Sequence, residues 1–130
     1  MNLSRKSDYA LRAIYYLSGL PKGTLGSINA IAQGRALPRE FLAKILKDLV
    51  ASGILISTRG VAGGYRLSRP SRKITFLDVI EAVDGPLHLS LCTEPKKCSC
   101  NQNDSCQMHA FWTAQERMFK SALRRQNFGG

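Results

Sequence analysis

The chain has 130 residues, 44% of them hydrophobic, with 19 Lys/Arg against 9 Asp/Glu and a formal net charge of +10. That is enough apolar material for a packed core, which argues against wholesale disorder, and no stretch reaches the roughly 18 apolar residues of a membrane span. No apolar run follows Arg5 and Lys6 as it would in a secretion signal, so a cytoplasmic protein without a membrane partner is expected. The positive charge is uneven: residues 1–75 hold 13 basic and 3 acidic side chains, residues 76–130 hold 6 of each. A basic N-terminal part points to a polyanion, with nucleic acid first, an anionic membrane second, and a merely solvated surface as the bland alternative.

Ser7 to Gly19 carries Tyr9, Ala10, Ala13, Ile14 and Leu17 at helical spacing, with Ser7 or Asp8 to cap the helix and Gly19 and Pro21 to stop it. Ile28 to Gln33 reads as a short second helix buried through Ile28, Ile31 and Ala32 and ended by Gly34. Pro38 suits the first position of a third helix, whose stripe of Phe41, Leu42, Ile45, Leu46 and Leu49 runs to Gly53. Helix, short turn, helix is the helix-turn-helix order. Ile54 to Thr58 and Tyr65 to Ser68 then read as paired strands. Three glycines in Arg59 to Gly64, Gly63 among them, give a tip that can lie close to a DNA backbone. A basic hairpin directly after a recognition helix is a wing, and Arg59 at its tip suits a minor groove. The fold class expected is therefore mainly α with a small β-hairpin wing.

Pro70 breaks the second strand, and Phe76 to Val83 forms a short helix closed by Asp84, Gly85 and Pro86. Leu87, Leu89 and Leu91 alternate, and from Gly85 to Ser105 no helical period lasts. Cys92, Cys98, Cys100 and Cys106 all fall within 15 positions. Such clustering without a secretion signal points to metal or redox chemistry rather than a disulfide framework. Asp104 or Ser105 can cap a last helix from about Cys106 to Gln126, with Met108, Phe111, Trp112, Met118, Phe119 and Leu123 on more than one side. A helix so apolar needs cover, and a second copy of the chain is the simplest; packing back on its own domain is the other arrangement. Three parts are expected: a DNA-binding domain over 1–84, a cysteine-bearing loop over 85–105, and a dimerisation helix with its tail over 106–130.

Arg59-Gly60-Val61-Ala62-Gly63-Gly64-Tyr65-Arg66-Leu67, Ile74-Thr75 and Asp78-Val79-Ile80-Glu81-Ala82-Val83-Asp84-Gly85 together resemble the IscR-like regulators, the Rrf2 superfamily. The resemblance runs from Leu3 through Trp112. It implies dimeric winged-helix transcription regulators that cross their C-terminal helices, many of which hold an iron–sulfur cluster near the dimer interface. Cys106-Gln107-Met108-His109-Ala110-Phe111-Trp112 resembles the segment with the last cysteine and the histidine ligand of the cluster-binding members. By that resemblance Cys106 and His109 are ligands and Cys92 is the first. Cys100 keeps the family's gap before Cys106 and Cys98 keeps it after Cys92, so the middle ligand is either one. This chain has one cysteine and two residues more than the family pattern. It also has Ala43 where cluster-binding members carry an acidic residue that reads bases.

Thiolates hold iron–sulfur clusters, and a histidine can replace one of them. Cys106 and His109, three apart on a helix, share a face. A cluster of the 2Fe–2S type is the favoured cofactor. Structural zinc, a thiol–disulfide switch through Cys98 and Cys100, and idle cysteines are the alternatives. For DNA, Arg39, Lys44, Lys47 and Arg59 are the candidate contacts, mostly to phosphate. Arg39, in the first turn of the recognition helix, is the best placed for a base edge. No enzyme is expected: His88 and His109 are the only histidines, Cys-x-x-Cys is absent, and no nucleophile has a base and an orienting partner.

Overall fold

In a computed structural model, which describes residues 3–89, Thr93 and residues 107–129, the first helix, α1, spans Arg5–Ser18 and starts earlier than the sequence suggests. Its cap is Ser4, whose hydroxyl accepts the Ser7 amide at 2.9 Å. Ser7 is not the cap. It is fully buried, and its hydroxyl and that of Ser4 both donate to Asp84 Oδ2. A buried hydroxyl needs such an acceptor, and this one lies 77 residues away.

Helix α2 spans Ile28–Arg35 and is capped by Ser27, which accepts the Ala30 amide. Gly34 lies inside it rather than at its end. A Cβ at Gly34 would sit 2.5 Å from the Tyr16 ring of α1, so the missing side chain serves helix packing. The helix is closed instead by Ala36 in the left-handed conformation, φ 53°, with the Leu37 amide donating to Ala32 O at 2.9 Å, a Schellman-type end. Helix α3 then spans Arg39–Ala51, with Pro38 as its cap residue rather than its first helical one.

Strands β1 (Leu55–Thr58) and β2 (Gly64–Leu67) pair antiparallel, Leu55 opposite Leu67 and Thr58 opposite Gly64. Gly26, before α2, adds two further backbone bonds to Tyr65, at 2.9 and 2.8 Å, so the hairpin is stitched to the start of the helix-turn-helix. After a 3-10 turn at Ser71–Lys73, α4 spans Phe76–Asp84 behind a capping box of Thr75 and Asp78. Helix α5 spans Gln107–Arg125. Three helices followed by a two-stranded hairpin form the winged helix-turn-helix, with α4 packed against α1, α3 and α5.

The core follows the periodicities. Ala10, Ala13, Ile14 and Leu17 of α1 meet Ile31 of α2 and Leu42, Ile45, Leu46 and Leu49 of α3, with Ile54, Leu55, Ile74, Val79 and Val83 closing it. Phe41 leaves the stripe: it is exposed and meets the edge of the Tyr9 ring at 5.4 Å. The chain after α5 joins the core instead of trailing away. The Phe76 amide donates to Gln126 O at 2.9 Å. Phe128, only 6% exposed, lies 4.8 Å from the Phe76 ring and 5.9 Å from the Tyr15 ring. Among the described residues no helix is long and apolar enough to cross a membrane.

Truncating a buried phenylalanine removes its transfer energy and leaves a cavity. Phe128→Ala is therefore expected to cost about 3 kcal/mol in urea denaturation; a loss below about 1 kcal/mol would show that the segment after α5 is not part of the core.

Candidate DNA interface and sensor segment

Burial of Leu42, Ile45, Leu46 and Leu49 turns the rest of α3 outward, and Arg39, Glu40, Ala43, Lys44 and Lys47 are all exposed. Two of the three acids in residues 1–75 are already paired: Asp48 with Lys6 at 2.7 Å and Asp8 with Arg12 at 3.2 Å. Lys44, Lys47 and Arg59 form no ion pair with the described residues, so their charge is open to an external anion. Arg39 is held differently. Its Nε donates to Asn29 Oδ1 of α2 at 2.7 Å, which leaves the terminal guanidinium nitrogens for a second acceptor. Sequence reasoning missed Asn29, because a polar residue on a short helix carries no local sign of a partner ten positions on.

The base of the wing is tied to the C-terminal end of α3 through Ile54, whose amide donates to Leu49 O at 3.0 Å and whose carbonyl accepts from Ser68. Arg59 is exposed in the tip. Gly63 closes that tip: its amide donates to Gly60 O at 3.0 Å, and a Cβ there would lie 2.2 Å from Thr58 O. The position excludes any side chain, so Gly63 can present only backbone to a ligand.

Of the candidate metal ligands, Cys92, Cys98, Cys100 and Cys106 lie outside the described residues. His109 lies in the first turn of α5, half-buried, and its Nδ1 is shielded from solvent with no hydrogen-bond partner among the described residues; the same is true of Thr113 Oγ1 one turn on. Buried polar atoms without partners are uncommon and costly. A ring nitrogen in that state fits a metal ligand, and the soft-thiolate and imidazole donor set fits iron–sulfur ligation as well as zinc.

Two turns beyond His109, Glu116 does the reverse. The first two residues after Leu87 converge on its Oε1, with the Leu89 amide at 3.0 Å and His88 Nδ1 at 3.2 Å. The Thr93 side chain also bonds this carboxylate, and Lys120 Nζ lies 3.9 Å from its Oε2. Burial alone would raise the Glu116 pKa; the bonds from Thr93, Leu89 and His88 and the charge of Lys120 outweigh it and lower the pKa below the ordinary 4.5. Glu116 was missed in the sequence, although it is the only acid after residue 106, a signal that was available.

With that geometry in place, the comparisons with known proteins decide the family. The description "Rrf2: Iron-dependent Transcriptional regulator" matches residues 3–129. The chain belongs to the Rrf2 family. Members of this family are transcriptional regulators, not enzymes. The chain is 38% identical over 87 residues to a protein of Mycobacterium tuberculosis named as a helix-turn-helix-type transcriptional regulator, a match covering 67% of this chain and 54% of that protein. A regulator so named in Aquifex aeolicus is 35% identical, over 80% of this chain and 72% of that protein. The chain thus spans about half the length of its mycobacterial relative. Among solved structures, CymR of B. subtilis, described as the global cysteine regulator, superposes with a TM-score of 0.81 at 23% identity, covering 98% of this chain and 93% of that one. IscR of T. potens gives 0.78 at 22%, covering 98% and 83%. At such identities these two establish the fold.

The sign of the Glu116 shift sets a pH dependence. A depressed carboxylate contributes stability that is present above its unfolded value and lost as pH falls through its folded value. The stability difference between the native chain and Glu116→Gln is therefore expected to shrink as pH falls below 4.5. A difference that stays constant from neutral pH down to about 3 in parallel urea titrations would contradict the pairing.

Proposed function

We propose that this regulator binds a DNA operator as a homodimer and that its affinity is controlled by an iron–sulfur cluster held by His109 and cysteines of the 92–106 segment. The observation that carries the cluster is His109 Nδ1, buried without a partner among the described residues on a helix that directly follows four closely spaced cysteines. The words "iron-dependent" in the family description support it. Cys92, Cys106 and one of Cys98 and Cys100 would complete the donor set. When bound, such a cluster supplies a redox-active centre whose assembly and loss answer to iron, oxygen or nitric oxide.

The chain's own residues do the rest. Lys44, Lys47 and Arg59 would meet phosphates, and Arg39, steadied by Asn29, a base edge. Ligation would join the cysteines to His109 of α5, and ligand binding can bias a protein only through such differential contacts. The proposed homodimer rests on α5, whose Met108, Phe111, Met118 and Phe119 are 68, 54, 65 and 44% exposed, an apolar side left uncovered by the described residues. As a regulator of transcription the protein would act in the cytoplasm.

The test is anaerobic purification followed by a visible spectrum, iron and sulfide analysis, and DNA selection from a random pool. Cluster bands with matching iron and sulfide, and an affinity for the selected DNA that changes at least about tenfold on stripping the cluster, are expected. A protein that stays colourless after reconstitution, or binds equally with and without its cluster, would overturn the reading. In the colourless case, altered DNA affinity on thiol oxidation would move the control to a disulfide switch, and stoichiometric zinc would make the site structural.

A further inference from the structure

The face of α5 turned toward its own domain carries His109, Thr113, Glu116 and Lys120, spaced four, three and four apart, all half-buried. Glu116 is the best satisfied of the four. Its side chain is 13% exposed, a costly place for a carboxylate unless donors surround it. The donors come from one place. His88, Leu89 and Thr93 all bond Glu116. A second carboxylate, Glu81 of α4, accepts the Leu87 amide at 2.9 Å, and Lys120 lies 3.9 Å from both acids. Simple packing of α4 on α5 would need only apolar side chains. What these acids add is a grip on residues 87–89 and Thr93, through the Leu87 and Leu89 amides and the His88 and Thr93 side chains.

Cys92 lies in sequence between Leu89 and Thr93, two residues held by the same carboxylate. We propose that Glu116 is a positioning residue for Cys92: it holds Leu89 and Thr93, which flank this thiol in sequence, to α5 about 10 Å along the helix axis from His109. The role deepens the cluster reading above and rests on it. Glu116 touches no ligand itself. It lowers the entropy that the segment would otherwise lose when its thiol is captured, as partners outside the ligand shell do at metal sites.

The test compares the native chain, Glu116→Ala and Glu116→Gln, all full length. Gln keeps an acceptor for the Leu89 amide, so it serves as the rescue. In the metal-free proteins, hydrogen exchange over residues 87–93 is expected to quicken about tenfold in Glu116→Ala, with α1–α3 unchanged. After anaerobic reconstitution with ferrous iron and sulfide, the cluster bands are expected to decay under a chelator at least about tenfold faster in Glu116→Ala, with Glu116→Gln within about threefold of native for both. Unchanged exchange, exchange raised equally in α1–α3, or an unchanged cluster lifetime would overturn the proposal, the last while leaving the cluster reading intact. If the native chain takes up no cluster, that reading fails, and the alkylation rate of Cys92 relative to Cys98 and Cys100 decides instead. A relative change in Glu116→Ala that Glu116→Gln reverses would support the positioning role, and no relative change would overturn it.

Discussion

Helix α5 is built inside out, and most of what is distinctive in this molecule follows from that. A surface helix of a single domain ordinarily buries its apolar stripe and shows its polar one. Here His109, Thr113, Glu116 and Lys120 turn toward the domain with Trp112 and Leu123, while Met108, Phe111, Met118 and Phe119 face outward. Covering each of the four would yield about 1 kcal/mol or more, since each is already partly buried and full burial is worth roughly 1.5–3. The inward polar row needs donors and acceptors that an apolar core could not provide, and Glu116 finds them in the His88 ring, the Leu89 amide and the Thr93 side chain.

Among the described residues the same helix is fastened along its middle and past its end, not at its start. Near its start His109 Nδ1 and Thr113 Oγ1 find no partner among the described residues. Past its end, Phe128 enters the core between Tyr15 and Phe76. Between them Lys120 links Glu116 to Glu81 of α4, and α4 in turn packs on α1 and α3. Asp84 at the end of α4 accepts from Ser4 and Ser7 at the start of α1. A contiguous packed route thus joins residues 87–89 and Thr93 to the helix that carries Arg39, Lys44 and Lys47. The proposed control of DNA binding would act through the relative placement of α4, α5 and the DNA module, the kind of element that a ligand can bias.

The parts legible in the sequence were those governed by local pattern. The stripe Ala10, Ala13, Ile14, Leu17, the stripe Leu42, Ile45, Leu46, Leu49, the β-branched run before Arg59 and the glycines after it each state their own conformation within a few residues. The parts not legible depend on distant partners. Ser7 looked like a cap because nothing near it names Asp84. Gly34 looked like a terminator because the Tyr16 ring that requires it belongs to another helix. Phe128 looked like tail because its neighbours, Tyr15 and Phe76, are far off in sequence. At the candidate site the basic residues on α3 and the wing were readable from charge and order, whereas Asn29 and Glu116 act through contacts that no spacing rule records. The four cysteines were readable only as a cluster of thiols. Their assignment rests on resemblance to the Rrf2 family.

The most direct test of this account is the mass of the folded chain in solution, measured by sedimentation equilibrium at micromolar concentration. An outward apolar face on α5 that is covered by a second copy predicts twice the 14.3 kDa of one chain, reverting to one chain when Phe111 and Met118 are both replaced by aspartate. A native chain that remains at 14.3 kDa, or a dimer indifferent to those two substitutions, would contradict it.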